Sequence, residues 1–341
     1  MREVSTIGLD LAKSVFQVHG ADASGAVVLR KKLRRIQVLS FFAALPPCTV
    51  AMEACGGSHH WAREMTRLGH TVRLIPPAYV KPFVKRQKND MADAEAICEA
   101  AQRPTMRFVV PKSGEAQAAA LAFRARDLLV RQRTQIINAL RGHLAEFGIV
   151  VAKGPVHVTE LVTAVNDPEE PVPEVARPVL RMLIDTLHAL NDRIALLDQE
   201  IAQRAKADET AHRLMTIPGV GPVIATAVVA LAPPAETFKC GRDFAAWLGL
   251  TPLQRSTGGK QKLGATSKMG ERTLRRLLII GASGVLRWAA RNGVPAGSWI
   301  ARMLARKPPM LVRVALANKM ARIVWALMAK GGIYRAPVAT A

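Results

Sequence analysis

The first hundred residues alternate between short apolar runs of strand-like composition and stretches whose apolar positions recur at helical spacing. This alternation predicts an α/β domain. The dipeptide Pro76-Pro77 ends the last of these strands. We predict strands over 6–11, 15–19, 26–33, 48–52 and 71–75 and helices over 36–45 and 58–68, in the order βββαβαβ, and a further helix over 90–101.

The middle of the chain reads as long helices. Residues 114–147 lack proline and carry apolar positions at helical spacing, which predicts one helix, and the proline-rich acidic stretch over 166–178 predicts a loop. A heptad seam follows, which fits equally well a helical hairpin within the chain and a coiled coil between copies. Its members are Leu187, Leu190, Ile194, Leu197 and Ile201.

Charge is distributed unevenly along the chain. Of 341 residues, 48 are Lys or Arg and 26 are Asp or Glu, so the formal net charge is +22. Residues 1–110 carry +7, residues 111–210 carry −2 and residues 211–341 carry +17. We therefore expect a polyanionic partner, with its main contact in the last third. The same three ranges are the predicted domains, because the chain becomes basic and richer in glycine from Leu214 onward.

Composition also argues against several classes of protein. The four cysteines are scattered and include no CxxC pair, so neither a disulfide framework nor a zinc site is indicated. The longest apolar stretch, Val223–Ala232, is about half the ~20 residues that span a bilayer. The first residues lack the apolar run of a signal peptide. We expect a soluble cytoplasmic protein with no membrane partner.

Four carboxylates fall where an α/β sheet would bring them together. Asp10 and Glu53 each end a short apolar strand, and the spacing of Asp90 and Asp93 places both on one face of the following helix. Carboxylate oxygens hold Mg²⁺, and metal pairs stabilise the attacking and leaving oxygens in phosphoryl transfer. Taken singly, each acid also suits a turn, a rim or a helix start. Combined with the order βββαβαβ, the set resembles the ribonuclease-H-like fold of the RuvC type.

A glycine-rich turn lies near the start of the basic region. The segment Leu214–Ala225 resembles a helix-hairpin-helix. Gly219 and Gly221 allow a tight turn, and the N–H groups at the following helix start can hold a phosphate without reading sequence. The alternative is a glycine turn that only lets two helices pack.

A hydroxyl group lies among cations and glycines further along the basic region. Ser256 precedes Gly258-Gly259 in what we interpret as a flexible basic loop, suited to neutralising a phosphate under attack. A loop that only binds phosphate explains the same composition, and Thr257 and Ser267 are competing hydroxyls. The cationic residues assigned to nucleic-acid binding are Arg255, Lys260, Lys268 and Arg275.

Five short motifs carry a resemblance to a known family over nearly the whole chain. They are Gly8-Leu9-Asp10, Met52-Glu53-Ala54, Asn89-Asp90 with Asp93-Ala94, Ile217-Pro218-Gly219-Val220-Gly221, and Ser256-Thr257-Gly258-Gly259-Lys260 with Ser267-Lys268. In this order they resemble the Piv-like insertion-sequence transposases with a DEDD acid set, which are bridge-RNA-guided recombinases.

The resemblance implies an N-terminal RuvC-like domain, a helical coiled-coil region and a mostly helical C-terminal transposase domain. It implies that the four acids bind Mg²⁺ or Mn²⁺ and that Ser256 is the nucleophile. Donor DNA, target DNA, a structured non-coding bridge RNA and a homo-oligomer of dimer to tetramer size are the implied partners. The expected function is an RNA-guided transposase that cuts and rejoins DNA through a phosphoserine intermediate.

Two other functions fit the residues. A RuvC-like Holliday-junction endonuclease would attack with metal-activated water, and Ser256 would only bind phosphate. A non-enzymatic protein would hold DNA through the helix-hairpin-helix and the basic region. The first predicts nicks in branched DNA without a protein–DNA adduct, and the second predicts strongly salt-dependent binding without strand chemistry.

Overall fold

The computed structural model describes residues 3–85, 89–295 and 297–336. The chain divides into two units, one reaching to Gln117 and the other beginning at Ala118. Each unit has hydrophobic clusters of its own.

Unit 1 is built on a mixed sheet. Its strands are β1 (Thr6–Asp10), β2 (Val15–Ala21), β3 (Val27–Arg34), β4 (Thr49–Glu53) and β5 (Thr71–Ile75). They lie in the order β3-β2-β1-β4-β5, with β1, β4 and β5 parallel and β2 antiparallel to both β1 and β3. The predicted strand order along the chain is confirmed, and the arrangement is compatible with a RuvC-like domain.

The helices of unit 1 cover the sheet on both faces. They are α1 (Val38–Ala43), α2 (Ser58–Arg67), α3 (Pro77–Val80) and α4 (Asp90–Ala101). Phe16 and Leu9 of the sheet share one hydrophobic cluster with Phe42 of α1 and Trp61 of α2. Helix α4 packs on β1 and β2. The predicted helix over 90–101 is confirmed.

Two long helices occupy the middle of the chain. They are α5 (Gly114–Glu146) and α7 (Arg177–Ala207), with α6 (Val158–Asn166) between them. The predicted long helix and the loop before α7 are confirmed, whereas α6 was not predicted.

The heptad seam of α7 packs within the chain. Leu187 clusters with Leu140 and Leu144 of α5, and Ile201 clusters with Phe123 of α5. Arg126 of α5 also donates to the carboxylate of Asp198 on α7, with Nη2 3.1 Å from Oδ2. Of the two arrangements that the seam allows, the structure therefore has the helical hairpin within the chain.

The basic last third is mostly helical, as predicted. Its helices are α8 (Glu209–Leu214), α9 (Pro222–Leu231), α10 (Gly241–Trp247), α11 (Arg272–Asn292), α12 (Trp299–Leu304) and α13 (Pro309–Lys330). A short pair of antiparallel strands, β6 (Pro252–Gln254) and β7 (Leu263–Thr266), interrupts them. Buried residues of α8, α9, α10, α11 and α13 form one core with the ends of α5 and α7.

The cysteines Cys48, Cys55, Cys98 and Cys240 are all free. None of the helices in the described ranges combines the length and the apolar character needed to cross a bilayer.

Candidate active site

Asp10 and Glu53 are the last residues of two neighbouring strands, β1 and β4. Their strands are neighbours and parallel, and the residues just before them, Leu9 and Met52, are paired in register. Parallel strands with aligned register end at the same edge of a sheet, so the two carboxylates emerge from one edge. Both residues are half-buried.

Gly8 allows α4 to approach this edge. A Cβ atom at residue 8 would lie 2.1 Å from the carbonyl oxygen of Ala94 and 2.5 Å from the amide nitrogen of Cys98, both on α4. Alternate residues of a strand share a face, so Gly8 and Asp10 point toward the side that α4 covers. Gly8 belongs to the Gly8-Leu9-Asp10 motif, and a glycine inside a buried strand is itself a signal of close backbone approach.

The first turn of α4 holds the other two acids. Asn89 caps the helix, with its side-chain oxygen accepting a hydrogen bond from the N–H of Met91 at 3.0 Å. The backbone oxygen of Asn89 also accepts from the N–H of Asp93 at 3.0 Å. Asp90 is exposed and Asp93 is half-buried. Two acids in a first turn are stabilised by the positive end of the helix dipole.

The four carboxylates influence one another electrostatically. The pKa of Asp10 is raised to about 6, first by burial and then by the charges of Asp93, Asp90 and Glu53, in that order of importance. The pKa of Glu53 is also raised, first by burial and then by Asp93. Within the described ranges, none of the four acids forms an ion pair with a cationic side chain. The site is thus a concentration of negative charge that no cationic side chain in the described ranges pairs with.

The donor chemistry of this site fits a divalent cation. Hard carboxylate oxygens are the ligands that Mg²⁺ and Mn²⁺ prefer, and a cation would relieve the repulsion that raises the pKa of Asp10. In the part of the chain that the structure describes, no three Asp, Glu, His or Cys side chains are already close enough to enclose an ion. The carboxylates would therefore have to draw together to coordinate one.

The segment interpreted from its composition as a flexible basic loop connects the two strands of a β-hairpin, and Ser256 lies in this connection. Strands β6 and β7 pair antiparallel, and Thr257 and Lys260 exchange backbone hydrogen bonds of 3.3 and 3.1 Å across the tip. Gly258 and Gly259 have φ of +56° and +76°, as a type I′ turn requires. The Gly-Gly pair between two short runs is the signal that identifies such a hairpin. Ser256 is exposed beside this turn.

The competing hydroxyls have different surroundings. Thr257 is exposed at the hairpin tip, like Ser256. The Ser267 Oγ is buried and has no hydrogen-bond partner among the described residues, while the Ser267 N–H donates to the Thr251 carbonyl at 2.9 Å. The next residue, Lys268, has φ +55°. Of the three hydroxyls, those of Ser256 and Thr257 are accessible to a large substrate.

The two glycines of the predicted helix-hairpin-helix have different roles in packing. Gly219 has φ +83°, and a Cβ there would lie 2.7 Å from the carbonyl oxygen of Gly281 on α11. A Cβ on Gly281 would lie 2.3 Å from the Gly219 oxygen, so each glycine allows the other's close approach. Gly221, which precedes α9, meets no described atom within 4 Å. Packing accounts for Gly219, and the start of α9 remains open to a ligand.

The cations assigned to nucleic acid also divide into two groups. Arg255, Lys260 and Lys268 are exposed. Arg275 is instead used within the fold, because its Nη1 donates to the carbonyl oxygens of Leu248 at 3.0 Å and Met269 at 2.7 Å. Burial and then the charge of Arg272 lower the pKa of Arg275.

Comparison with known proteins agrees with this organisation. Residues 7–149 match the DEDD transposase family of the IS110 type, and residues 211–293 match the family described as Transposase IS116/IS110/IS902. A probable family 20 transposase of Pseudomonas aeruginosa is 51% identical over 97% of this chain and 99% of its own length. The transposase for insertion sequence element IS1328 of Yersinia enterocolitica is 40% identical over 98% and 99%, and that for IS1111A of Coxiella burnetii 39% over 98% and 92%.

A DEDD domain followed by a mostly helical second region defines a transposase of insertion sequences. The chain belongs to the IS116/IS110/IS902 transposase family. Membership implies that it acts on DNA and transfers DNA strands.

Proposed function

We propose that this transposase cuts and rejoins DNA through a covalent bond between Ser256 and a DNA phosphate, assisted by a divalent cation held by Asp10, Glu53, Asp90 and Asp93. The observation that carries this proposal is the concentration of negative charge around Asp10, whose pKa is raised by burial and by the three other acids. Mutual repulsion of this kind is relieved when a cation binds. Mg²⁺ or Mn²⁺ suits the oxygen donors.

The carboxylates that would hold the cation come from two elements, the sheet edge and helix α4. A bound divalent cation would offset the negative charge that develops on a transferring phosphoryl group. Glu53 and Asp10 offer carboxylates from the fixed sheet edge, and Asp93 offers one from the first turn of α4. Asn89 supports that turn through its cap, so it keeps Asp90 and Asp93 on the side of Asp10.

The serine supplies the covalent step. The Ser256 Oγ attacks a backbone phosphorus, one phosphorus–oxygen ester bond of the DNA breaks, and the departing DNA oxygen takes up a proton while the serine hydroxyl loses one to water. Attack by a DNA hydroxyl on the phosphoserine then restores a phosphodiester and releases Ser256. The number of phosphate ester bonds is unchanged, so no nucleotide cofactor is required. The exposure of Ser256 on a basic hairpin supports this role.

Nucleic-acid partners follow from charge. The +17 carried by residues 211–341 supports contacts with the backbones of donor and target DNA and of a structured non-coding bridge RNA. Exposed Arg255, Lys260 and Lys268 and the open start of α9 at Gly221 are the proposed phosphate contacts. If pairing with RNA selects the sites, the protein needs few base-reading side chains.

The oligomeric state is also part of the proposal. We infer a homo-oligomer of two to four copies. Large apolar side chains on the helical hairpin, Leu121 and Leu128 of α5 and Leu196 of α7, are 64%, 48% and 65% exposed. Exposed leucines of this kind support contact with a second copy.

One observation favours a second function, that of a Holliday-junction endonuclease. All four acids belong to unit 1, so water activated by a bound cation would be able to cut DNA without Ser256. In that case branched DNA is nicked and no protein–DNA bond forms. A protein that only binds DNA would show neither product.

The deciding experiment uses the full chain, Mg²⁺ and end-labelled DNA carrying an element end with its flanking sequence. We expect a covalent protein–DNA adduct that survives denaturation, is lost in Ser256→Ala and is retained in the matched variants Thr257→Val and Ser267→Ala. Asp10→Asn should lower adduct formation at least 100-fold. Normal recombination by Ser256→Ala would overturn the proposal, and nicks without an adduct would favour the endonuclease.

A further inference from the structure

The edge strand of the unit 1 sheet is strongly basic. Among the described strands, β3 pairs with β2 alone, and it carries Arg30, Lys31, Lys32 and Arg34, all of which are exposed. Charged residues on an edge strand commonly serve only to prevent edge-to-edge aggregation. The cations on the two faces of β3, however, have different surroundings.

Strand register connects this strand to the acidic site. Asp10 pairs with Gln17 on β2, and Gln17 pairs with Lys32 on β3. Residues directly opposite one another in a sheet share a face, so Lys32 lies on the same face as Asp10. Two strand spacings separate their Cα atoms, which is about 10 Å. Arg30 and Arg34 lie two positions to either side of Lys32 and therefore on this face too.

The cations on this face include two without an internal partner. Arg30 pairs with Glu95 of α4 at 4.0 Å. On the opposite face, the Lys31 ammonium lies 4.9 Å from the centre of the Phe41 ring. Lys32 and Arg34 enter no ion pair or cation–π contact among the residues that the structure describes. Among the described residues, two unpaired cations of β3 and four unpaired acids of β1, β4 and α4 thus lie on one side of the sheet.

The space beside these cations is open. Helix α4 packs on β1 and β2, and a cleft of about 140 Å³ lies between its first turns and the strands β2 and β3. The cleft is lined in part by His19, Arg30, Asn89 and Glu95. Lys31 also contributes to its wall, but the ammonium of Lys31 is over Phe41. The cleft therefore joins the exposed side of β3 to the first turn of α4.

We propose that Lys32 and Arg34 bind successive backbone phosphates of the DNA duplex whose scissile bond is presented to Asp10, Glu53, Asp90 and Asp93. Residues two apart on a strand are separated by about 6.7 Å, a repeat comparable to the spacing of phosphates on a nucleic-acid strand. Such contacts fix the register of the DNA and read no sequence. The inference rests on the proposed function, because it assumes that the acids act on DNA.

Salt dependence of binding by the full chain tests this inference. The probe is a 40-base-pair DNA duplex, and the measured quantity is the slope of log affinity against log salt concentration. Each lost phosphate contact reduces the magnitude of this slope by about 0.9. We expect that reduction for Lys32→Gln and again for Arg34→Gln, with recovery in Lys32→Arg. The matched control Lys31→Gln removes the same charge one position away and should leave the slope unchanged.

Amine acetylation with mass spectrometry locates the contact. The duplex should protect Lys32 at least threefold more than Lys31. Equal slope changes in the Lys31 and Lys32 variants would indicate a diffuse field and overturn the inference. Protection of Lys32 by RNA of the same length but not by the duplex would also overturn it. Thermal melts of each variant report folding independently.

The salt slope and the acetylation pattern can be measured without DNA cleavage. They therefore test the phosphate contacts of Lys32 and Arg34 independently of the proposed function of Ser256. Lys32 contacts with no Ser256-dependent adduct would contradict the proposed function alone. A Ser256-dependent adduct with an unchanged salt slope in Lys32→Gln and Arg34→Gln would contradict only the contact proposed here.

Discussion

The acidic site of unit 1 and the serine hairpin of unit 2 are built in different ways. Asp10 and Glu53 are half-buried at aligned strand ends, and α4 reaches them only because residue 8 is glycine. Ser256 instead lies exposed beside a two-glycine turn. The fold therefore sets the surroundings of the carboxylates in the absence of DNA, whereas it leaves the Ser256 hydroxyl exposed; in the proposed mechanism the substrate would supply most of the surroundings of that hydroxyl.

This difference has a consequence for mutagenesis. Changes around the acids should alter folding and its pH dependence even in the absence of DNA. Changes at the hairpin should leave folding unchanged and should have an effect only in assays that contain DNA.

The largest effect is expected for Gly8→Ala. The new methyl group would overlap the Ala94 carbonyl and the Cys98 amide, so α4 must move away from β1. We predict a loss of about 3 kcal/mol in the free energy of unfolding, measured by urea denaturation, and loss of strand transfer. Gly56→Ala is the matched control, because no atom of the described residues lies within 4 Å of its Cβ position. Equal denaturation midpoints for the two variants would contradict this account of α4 packing.

Substitution of two glycines in unit 2 distinguishes a packing role from a phosphate-binding role. Gly219→Ala meets both a positive φ and the Gly281 carbonyl, so it should lower the free energy of unfolding by about 2 kcal/mol. Gly221→Ala should change it by less than about 0.5 kcal/mol, because the position is open. Its effect should appear as weaker DNA binding in a filter-binding assay. Large destabilisation by Gly221→Ala would show that the open position is required for folding.

The raised pKa of Asp10 gives a signed pH dependence. The carboxyl binds its proton more tightly in the folded chain, with a pKa of about 6 against an ordinary 3.8, so its contribution to stability falls as pH rises through this window. With EDTA present, Asp10→Asn should remove that fall. At pH 8 it should stabilise the chain by about 1 kcal/mol, a figure reduced for solvent screening of a half-buried group.

Calorimetric melts at pH 4 and pH 8 check the Asp10 prediction. Added Mg²⁺ should stabilise the unsubstituted chain at pH 8 more than it stabilises Asp10→Asn. Parallel pH profiles for the two proteins would contradict the electrostatic description of the site.

The smallest effect on folding is expected for Ser256→Ala. An exposed hydroxyl with no packing role contributes little, so the free energy of unfolding should change by less than about 0.5 kcal/mol while adduct formation disappears. Differential scanning fluorimetry alongside the adduct assay measures both. A substantial drop in the melting temperature of Ser256→Ala would mean that the Ser256 hydroxyl contributes to folding, contrary to its description as an exposed group.

Local patterns were sufficient to predict much of the fold. The strands of unit 1, the helix carrying Asp90 and the long helix α5 follow from apolar periodicity and from proline positions. Helix α6 was missed because its nine residues lie between stretches that read as loop. The short hairpin was missed because β6 has only three residues, all exposed, and so has no apolar alternation.

Long-range relations could not be obtained from periodicity. The heptad seam of α7 does not specify whether its partner is α5 or another copy, since either buries the same leucines. The contact of Gly8 with Ala94 and the alignment of Lys32 with Asp10 depend on helix packing and strand register. Candidate acids were recognisable from their places at strand and helix ends, whereas their electrostatic coupling required the folded chain.

The most direct test of the central claim is identification of the residue bonded to DNA. Adduct formed by the unsubstituted chain is digested with nuclease and trypsin, and the nucleotide-bearing peptide is sequenced by mass spectrometry. Cleavage after Arg255 and Lys260 places Ser256 on peptide 256–260, and cleavage after Lys262 and Lys268 places Ser267 on peptide 263–268. The account predicts a phosphonucleotide on Ser256. A phosphonucleotide on Thr257 or Ser267, or strand transfer with no modified peptide, would contradict it.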